Sequence, residues 1–332
     1  MRPIQDAFSL LQTPKKIFIT THHKPDGDAI GSMLALYHYL VKKEHTVIAV
    51  SPSEIPDFLA WLPGVELLLN YEAESKACVK ALNEAEIIFC LDFNDYSRTK
   101  HLTQQLTDAT QPKILIDHHL FPKPQWDYGM SIPEKSSTCE MVYDFINLNC
   151  ENELIDLDIA ACLYTGLMTD TGSFRYPSTT ATTHAMASDL KQKGLNHSII
   201  LEHVNDTWSF RRMQFLGYIL LEKMEVFPKL NSGLIALSRQ DMKLFDVSSG
   251  DTEGLVNYPL NIAGIRFATL ITERGDEVKM SFRSKGDFDV SAFAREHFHG
   301  GGHFNASGGR SNSSFSETVA LFKKILSDIH PR

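Results

Sequence analysis

Lys16-Ile17-Phe18-Ile19-Thr20-Thr21-His22-His23-Lys24-Pro25-Asp26-Gly27-Asp28-Ala29-Ile30-Gly31-Ser32 runs from an apolar stretch through a polar turn into a helical pattern. Residues 16–21 (KIFITT) read as a short buried strand, and residues 31–43 as an amphipathic helix. The alternation repeats outward from there. Residues 46–51 (TVIAVS), 86–91 (EIIFCL) and 113–116 (KILI) are further apolar runs, with helical patterns between most of them. This succession predicts an α/β unit with a mainly parallel sheet. Ligands in such sheets gather beyond the carboxyl ends of the strands, and the polar clusters of this chain fall there.

Beyond residue 136 the pattern turns helical, over 136–147, 156–169, 182–193 and 209–223. A mixed segment follows. Residues 233–238 read as a strand, 267–273 and 277–283 as a hairpin around Arg274-Gly275-Asp276, and 290–297 and 316–329 as helices. Phe227-Pro228 and Asn231-Ser232-Gly233 punctuate the chain between the two parts. The expected organisation is therefore a first domain over 1–195, a helical linker over 196–230 and a smaller mixed α/β domain over 231–332.

A chain of 332 residues, 43% hydrophobic and 22% charged, has room for two packed domains. Its formal net charge of -9 argues against long nucleic acid, whose binding rests on neutralising many phosphates. A short nucleotide remains compatible, because a local metal site supplies positive charge. The five cysteines are odd in number and form no C-x-x-C pair, which argues against a disulfide framework or zinc ribbon. With neither a secretory pattern nor an apolar run of the ~20 residues that span a bilayer, a soluble cytoplasmic protein without membrane contact is expected. No G-x-G-x-x-G follows the first strand, which removes a dehydrogenase reading.

Four clusters carry the chemistry. In the first, Pro25 and Gly27 favour a turn that folds His22, Asp26 and Asp28 towards one point. Imidazole mixed with carboxylate is the ligand set of Mn, Fe and Zn, whereas Ca or Mg prefers oxygen alone. An Asp N-cap accounts for one aspartate of the three residues. In the second, Asp92 ends an apolar strand, where a carboxylate needs a partner or a metal. Nearby Asp95 and Arg98 read as a turn and a surface ion pair. The third is Asp117-His118-His119. Adjacent histidines on an extended chain point to opposite sides, so one can bind metal while the other faces substrate, with Asp117 orienting them. In the fourth, Asp170 ends a helix, against the helix dipole unless a cation is near. Six groups suit two metals, about 3.5–4 Å apart, that share one carboxylate.

Together His22-x-x-Pro25-Asp26-x-Asp28, the lone Asp92, Asp117-His118-His119 and Thr169-Asp170-Thr171-Gly172 resemble, in order, the motifs of the DHH phosphoesterases. That resemblance implies His22 and Asp26 on one manganese ion, Asp28, His118 and Asp170 on a second, and Asp92 bridging the two Mn2+, with Mg2+ or another divalent ion as alternatives. His119 would face the phosphate and Asp117 would orient the histidines. Residues 136–140 also match a family segment, with a structural role. Further on, Phe298-His299-Gly300-Gly301-Gly302-His303 resembles the G-G-G-H signature of the DHHA1 domain. A flexible turn is the plain alternative, although glycines do let backbone N–H groups approach an anion. The resemblance implies that Gly301, Gly302, His303 and Arg283 hold substrate across a cleft from the metals.

The compact layout is similar to that of enzymes that cut very short oligoribonucleotides to mononucleotides and dephosphorylate adenosine 3',5'-bisphosphate. Such partners would be short RNA or nucleotides rather than long duplexes. A phosphodiesterase for cyclic or linear dinucleotides is the alternative. A single-strand exonuclease, a polyphosphatase and a non-catalytic nucleotide-binding module stand behind it. The apolar helix surface over 209–223 would pair two chains in a homodimer. Arg98, Arg175 and His184 stay without a role at this stage.

Overall fold

Lys16–Thr20 becomes strand β2, and it lies inside its sheet rather than at an edge. The computed structural model describes residues 1–329 except Ser249 and Asp276, and the chain divides into two units, Met1–Thr207 and Trp208–Arg332. In the first unit the other strands are β1 (Arg2–Pro3), β3 (Thr46–Ser51), β4 (Leu69–Asn70), β5 (Ile87–Leu91), β6 (Lys113–Asp117) and β7 (Tyr128–Ser131). They stand in the order β1-β7-β6-β5-β2-β3-β4, and all neighbours are parallel. After β2 the chain moves to one side, to β3 and β4. It then returns past β2 and continues through β5, β6 and β7 on the other side. The order therefore reverses between β2 and β5, and the crevice at such a switch point is where open parallel sheets bind ligands.

The helices are α1 (Gly27–Lys42), α2 (Tyr71–Glu84), α3 (Thr103–Asp108), α4 (Thr138–Leu148), α5 (Leu157–Asp170), α6 (Ala181–Gln192) and α7 (His197–Asn205). Alternate side chains of the central strands enter two cores. Ile17, Ile19, Phe89 and Ile116 join residues of α1, α4 and α5, while Phe18, Ile88, Cys90 and Leu115 join residues of α2. Burial on both faces makes these strands near-continuous apolar runs. Among the described residues no helix is long and apolar enough to cross a membrane.

The first helix starts four residues before the sequence pattern suggested. Asp26 caps it, accepting hydrogen bonds from the Asp28 and Ala29 amides, so the turn read over 25–27 is the helix entry itself. The short strands β1, β4 and β7 had no sequence reading, and α7 falls in the stretch expected as a helical linker but belongs to the first unit.

In the second unit, α8 (Phe210–Tyr218) precedes β8 (Met224–Phe227), β9 (Ser232–Leu237), α9 (Arg239–Leu244), β10 (Phe267–Arg274), β11 (Glu277–Ser284), α10 (Val290–His297), β12 (Gly301–His303), β13 (Ala306–Ser311) and α11 (Phe315–Asp328). The mixed sheet runs β12-β13-β11-β10-β9-β8. Asp276, in the turn of the expected β10–β11 hairpin, lies outside the described residues, as do the last three residues of the expected 231–332 domain. Phe210 and Met213 of α8, and Leu221 just beyond it, are exposed on the surface read as a pairing face. The glycine-rich run is a strand rather than a flexible turn: Gly301–His303 pairs antiparallel with β13. Glycine is required beside it, since a Cβ on Gly300 would sit 2.0 Å from the Gly308 carbonyl oxygen.

Candidate metal centre

Three strand ends and one helix end deliver the predicted ligands. The turn after β2 carries His22 and Asp26, the first turn of α1 carries Asp28, the end of β5 leads into Asp92, the end of β6 into His118, and α5 ends on Asp170. The structure gathers their donor atoms into sets, each within 4.8 Å: His22, Asp26 and Asp92; Asp28, His118 and Asp170; and Asp92 with His118 and His119. Asp92 joins the first two sets. Its Oδ2 lies 3.3 Å from His22 Nε2, and its Oδ1 lies 3.6 Å from His118 Nε2. The remaining spans are 3.9 Å from His22 Nε2 to Asp26 Oδ2, 3.5 Å from His118 Nε2 to Asp170 Oδ2, and 4.0 Å from His118 Nε2 to Asp28 Oδ2.

The surroundings fix which atom of each ligand faces inward. His22 Nδ1 donates to the His23 carbonyl at 3.1 Å, and His118 Nδ1 to the Lys135 carbonyl at 3.2 Å, so each ring turns Nε2 to the carboxylates. Asp28 is fully buried, and its two oxygens accept from the Thr138 and Cys139 amides at 2.6 and 2.8 Å. Those are unsatisfied donors at the N-terminus of α4, a natural seat for a carboxylate. Thr138 Oγ1 donates to Asp92 Oδ1 at 2.9 Å. Asp92 itself is held at φ 63°, a left-handed conformation uncommon outside glycine.

Two sequence expectations need correction here. His118 and His119 do not point to opposite sides: their rings lie 5.0 Å apart, and both reach Asp92 Oδ1 at 3.6 Å. The strand ends at Asp117, so the alternation of an extended chain no longer applies. Nor does Asp117 orient both rings. Its Oδ1 accepts from His119 Nδ1 at 2.7 Å, while His118 leans on Lys135. The segment over 136–140, read as structural, supplies the donors that hold Asp28 and Asp92. A hint was present in Ser137-x-x-Glu140, the start signal of a helix whose free amides seek an anion. Asp95 caps the short turn Tyr96–Leu102, as expected, but among the described residues no ion pair joins it to Arg98. In the second unit, Arg283 pairs in register with Ala306, and Ala306 with His303, so both side chains belong to one cross-strand row.

The electrostatics favour a divalent cation. Burial and the Asp92 and Asp170 carboxylates push the Asp28 pKa well above the carboxylate range. Burial, with Asp92 and Asp26, pushes Asp170 up to about 7. Burial opposes the charged form of His118, but Asp92, Asp28 and Asp170 outweigh it and push it up to about 9. For Asp92, burial acts upward, but the hydrogen bond and charge of His22 and the other two imidazoles hold it below the usual range. Crowded buried carboxylates are stabilised by a cation among them, and the mixed nitrogen and oxygen donors fit Mn, Fe or Zn.

A pH dependence follows. His118 contributes stability that is fully present below its unfolded value of 6.5 and is lost as pH rises through about 9. Asp170, raised from 3.8 to about 7, likewise contributes stability that is fully present below 3.8 and is lost as pH rises through about 7. The chelator-treated protein is therefore expected to melt at progressively lower temperature from pH 6.5 to 9. Added divalent ion, which displaces the same protons, should protect more strongly at the upper end. Melting curves with and without ion check this; a gap constant across that range would refute it.

Fold and cluster together define an α/β protein with a candidate divalent-cation centre at its switch point. The chain belongs to the DHH family: the model of the DHH family, N-terminal domain, matches residues 16–167, and that of the DHHA1 domain matches residues 241–329. A relative from Thermus thermophilus, named bifunctional oligoribonuclease and PAP phosphatase NrnA, is 30% identical over 93% of this chain and 87% of its own length. A Bacillus subtilis protein of the same name is 26% identical over 88% of each chain. The crystal structure of an exopolyphosphatase-related protein from Bacteroides fragilis is 38% identical, with a TM-score of 0.95 over 98% of this chain and 95% of that one.

Proposed function

We propose that this chain is a phosphoesterase that uses two divalent ions, manganese by ligand type. It would hydrolyse very short oligoribonucleotides to mononucleotides and remove a phosphate from adenosine 3',5'-bisphosphate. The observation that carries the reading is the Asp92 carboxylate, one oxygen facing each ligand set. The names of the Thermus thermophilus and Bacillus subtilis relatives support this choice of substrate.

His22, Asp26 and Asp92 would hold one ion, and Asp28, His118, Asp170 and Asp92 the other. Bound ions supply Lewis acidity towards phosphoryl oxygens and ease deprotonation of water. The protein does the rest. The N-terminus of α4 and the Thr138 hydroxyl hold Asp28 and Asp92 in place, so that no reorganisation is needed during reaction. Asp117 fixes His119 with Nδ1 as donor, and the ring so held would hydrogen-bond a phosphoryl or leaving oxygen. In the second unit Arg283 and His303 share a row beside Gly301 and Gly302, and would bind the nucleotide or terminal phosphate of the substrate.

The test is a substrate panel: a 5'-phosphorylated RNA dinucleotide, adenosine 3',5'-bisphosphate, a cyclic dinucleotide and polyphosphate, each with manganese and with chelator. The expected result is manganese-dependent turnover of the first two. Consumption of polyphosphate alone would overturn the reading in favour of an anhydride hydrolase.

A further inference from the structure

The face of α5 turned away from the metal ligands borders a second site. Gly166 packs against Asp28, and Tyr164, two residues earlier, stands about 200° round the helix from it. Tyr164 lines a depression of about 550 Å3, open to solvent, within the first unit. That size is in the range of small-molecule sites. We propose that the depression bounded by Tyr164, Phe174, His184, Lys191, Gln192 and His197 is a second, non-catalytic binding site for a small aromatic anion, a nucleoside monophosphate.

Four observations carry this. Tyr164 is only 4% exposed, and its hydroxyl, which solvent reaches from the depression, makes no hydrogen bond among the described residues. A ligand in the depression would find a free donor there. Phe174 and His184 stack at 5.4 Å and 22°, forming an aromatic wall. Phe174 closes a turn in which Gly172, Ser173 and Phe174 are left-handed in succession, at φ 56°, 59° and 64°. Lys191 Nζ donates to His197 Nδ1 at 2.8 Å, which places the His197 proton on Nε2 and sets two donors side by side. Finally, no carboxylate lines the depression. Asp189, on the same helix as Lys191, is turned to Tyr143 and Asn152 at 2.9 and 3.1 Å.

One ammonium beside a neutral imidazole N–H, without an acid, selects an anion, and the aromatic wall selects a ring. The choice of a nucleoside monophosphate rests on the function proposed above; the anion and the ring do not. Because Phe174 follows Asp170 by four residues, occupancy would act on the turn that carries a metal ligand, so a product could regulate its own formation.

The test uses the full chain labelled with 3-fluorotyrosine, in chelator, titrated with adenosine 5'-monophosphate, adenosine or inorganic phosphate. The fluorine resonance that vanishes in Tyr164→Phe reports the depression. The monophosphate should shift it, each half of the ligand should shift it less, and Lys191→Glu should weaken binding at least about tenfold. His303→Ala should leave the shift intact. A silent Tyr164 resonance, or unchanged affinity in Lys191→Glu, overturns the site; an equal shift with phosphate alone overturns its aromatic part. If the substrate panel fails while Tyr164 responds, the site stands and only the function falls. The reverse result removes the site alone.

Discussion

Asp92→Asn should reduce ion-dependent hydrolysis by roughly three orders of magnitude, about 4 kcal/mol of barrier. It should also weaken the binding of both ions rather than one. Each Asp92 oxygen faces a different ligand set, so loss of the charge is felt in both. Asparagine is the informative substitution because it tolerates the left-handed backbone found at this position, at φ 63°. Asp26→Asn is the natural comparison. Asp26 belongs to one set alone, and its variant should lose affinity for one ion and retain the other. Calorimetric titration of manganese into each variant, with melting curves in chelator as a control for folding, separates the cases. Full-affinity binding of one ion by Asp92→Asn would show that the carboxylate is not shared.

Gly166→Ala should inactivate the protein without altering any ligand. A Cβ there would stand 2.2 Å from Cys139 Sγ and 2.8 Å from Asp28 Oδ1, in a region where α1, α4 and α5 approach closely. Overpacking of this kind costs about 1–3 kcal/mol of stability. Displacement of a supported ligand costs about 10–100-fold in metal affinity or activity. The double variant Gly166→Ala/Cys139→Ala relieves the sulfur clash and leaves the contact with Asp28. It should therefore recover more stability than activity. Equal recovery of both would mean that the close helix approach serves packing alone.

The candidate ligands Asp92 and His118 were legible because each follows the end of an apolar run. Asp92 after residues 87–91 and Asp117 at the end of residues 113–117 are polar intrusions that a buried strand does not tolerate without a reason. The parallel sheet was legible for the same cause, burial of both faces. Thr138 was not legible. Its hydroxyl reaches Asp92 and its amide reaches Asp28, 110 residues away, and although Ser137-x-x-Glu140 marks a helix start that seeks an anion, nothing local says which carboxylates come. The relation of His118 to His119 was misjudged because strand periodicity was carried past the last paired residue. The two-residue strands β1 and β4 are too short for any periodicity. Tyr164 lies within the helical pattern over 156–169, and the depression beside its hydroxyl is visible only once its neighbours are known.

The position of the switch point has a consequence for how the chain folds. β2 pairs with β5 across a gap of seventy residues, as in Ile17 against Ile87, and non-local parallel pairings of this kind form slowly. The same closure brings Asp28 towards Asp92. Bringing these acidic groups together without a cation is unfavourable, so divalent ions are expected to affect the folding rate as well as the final stability.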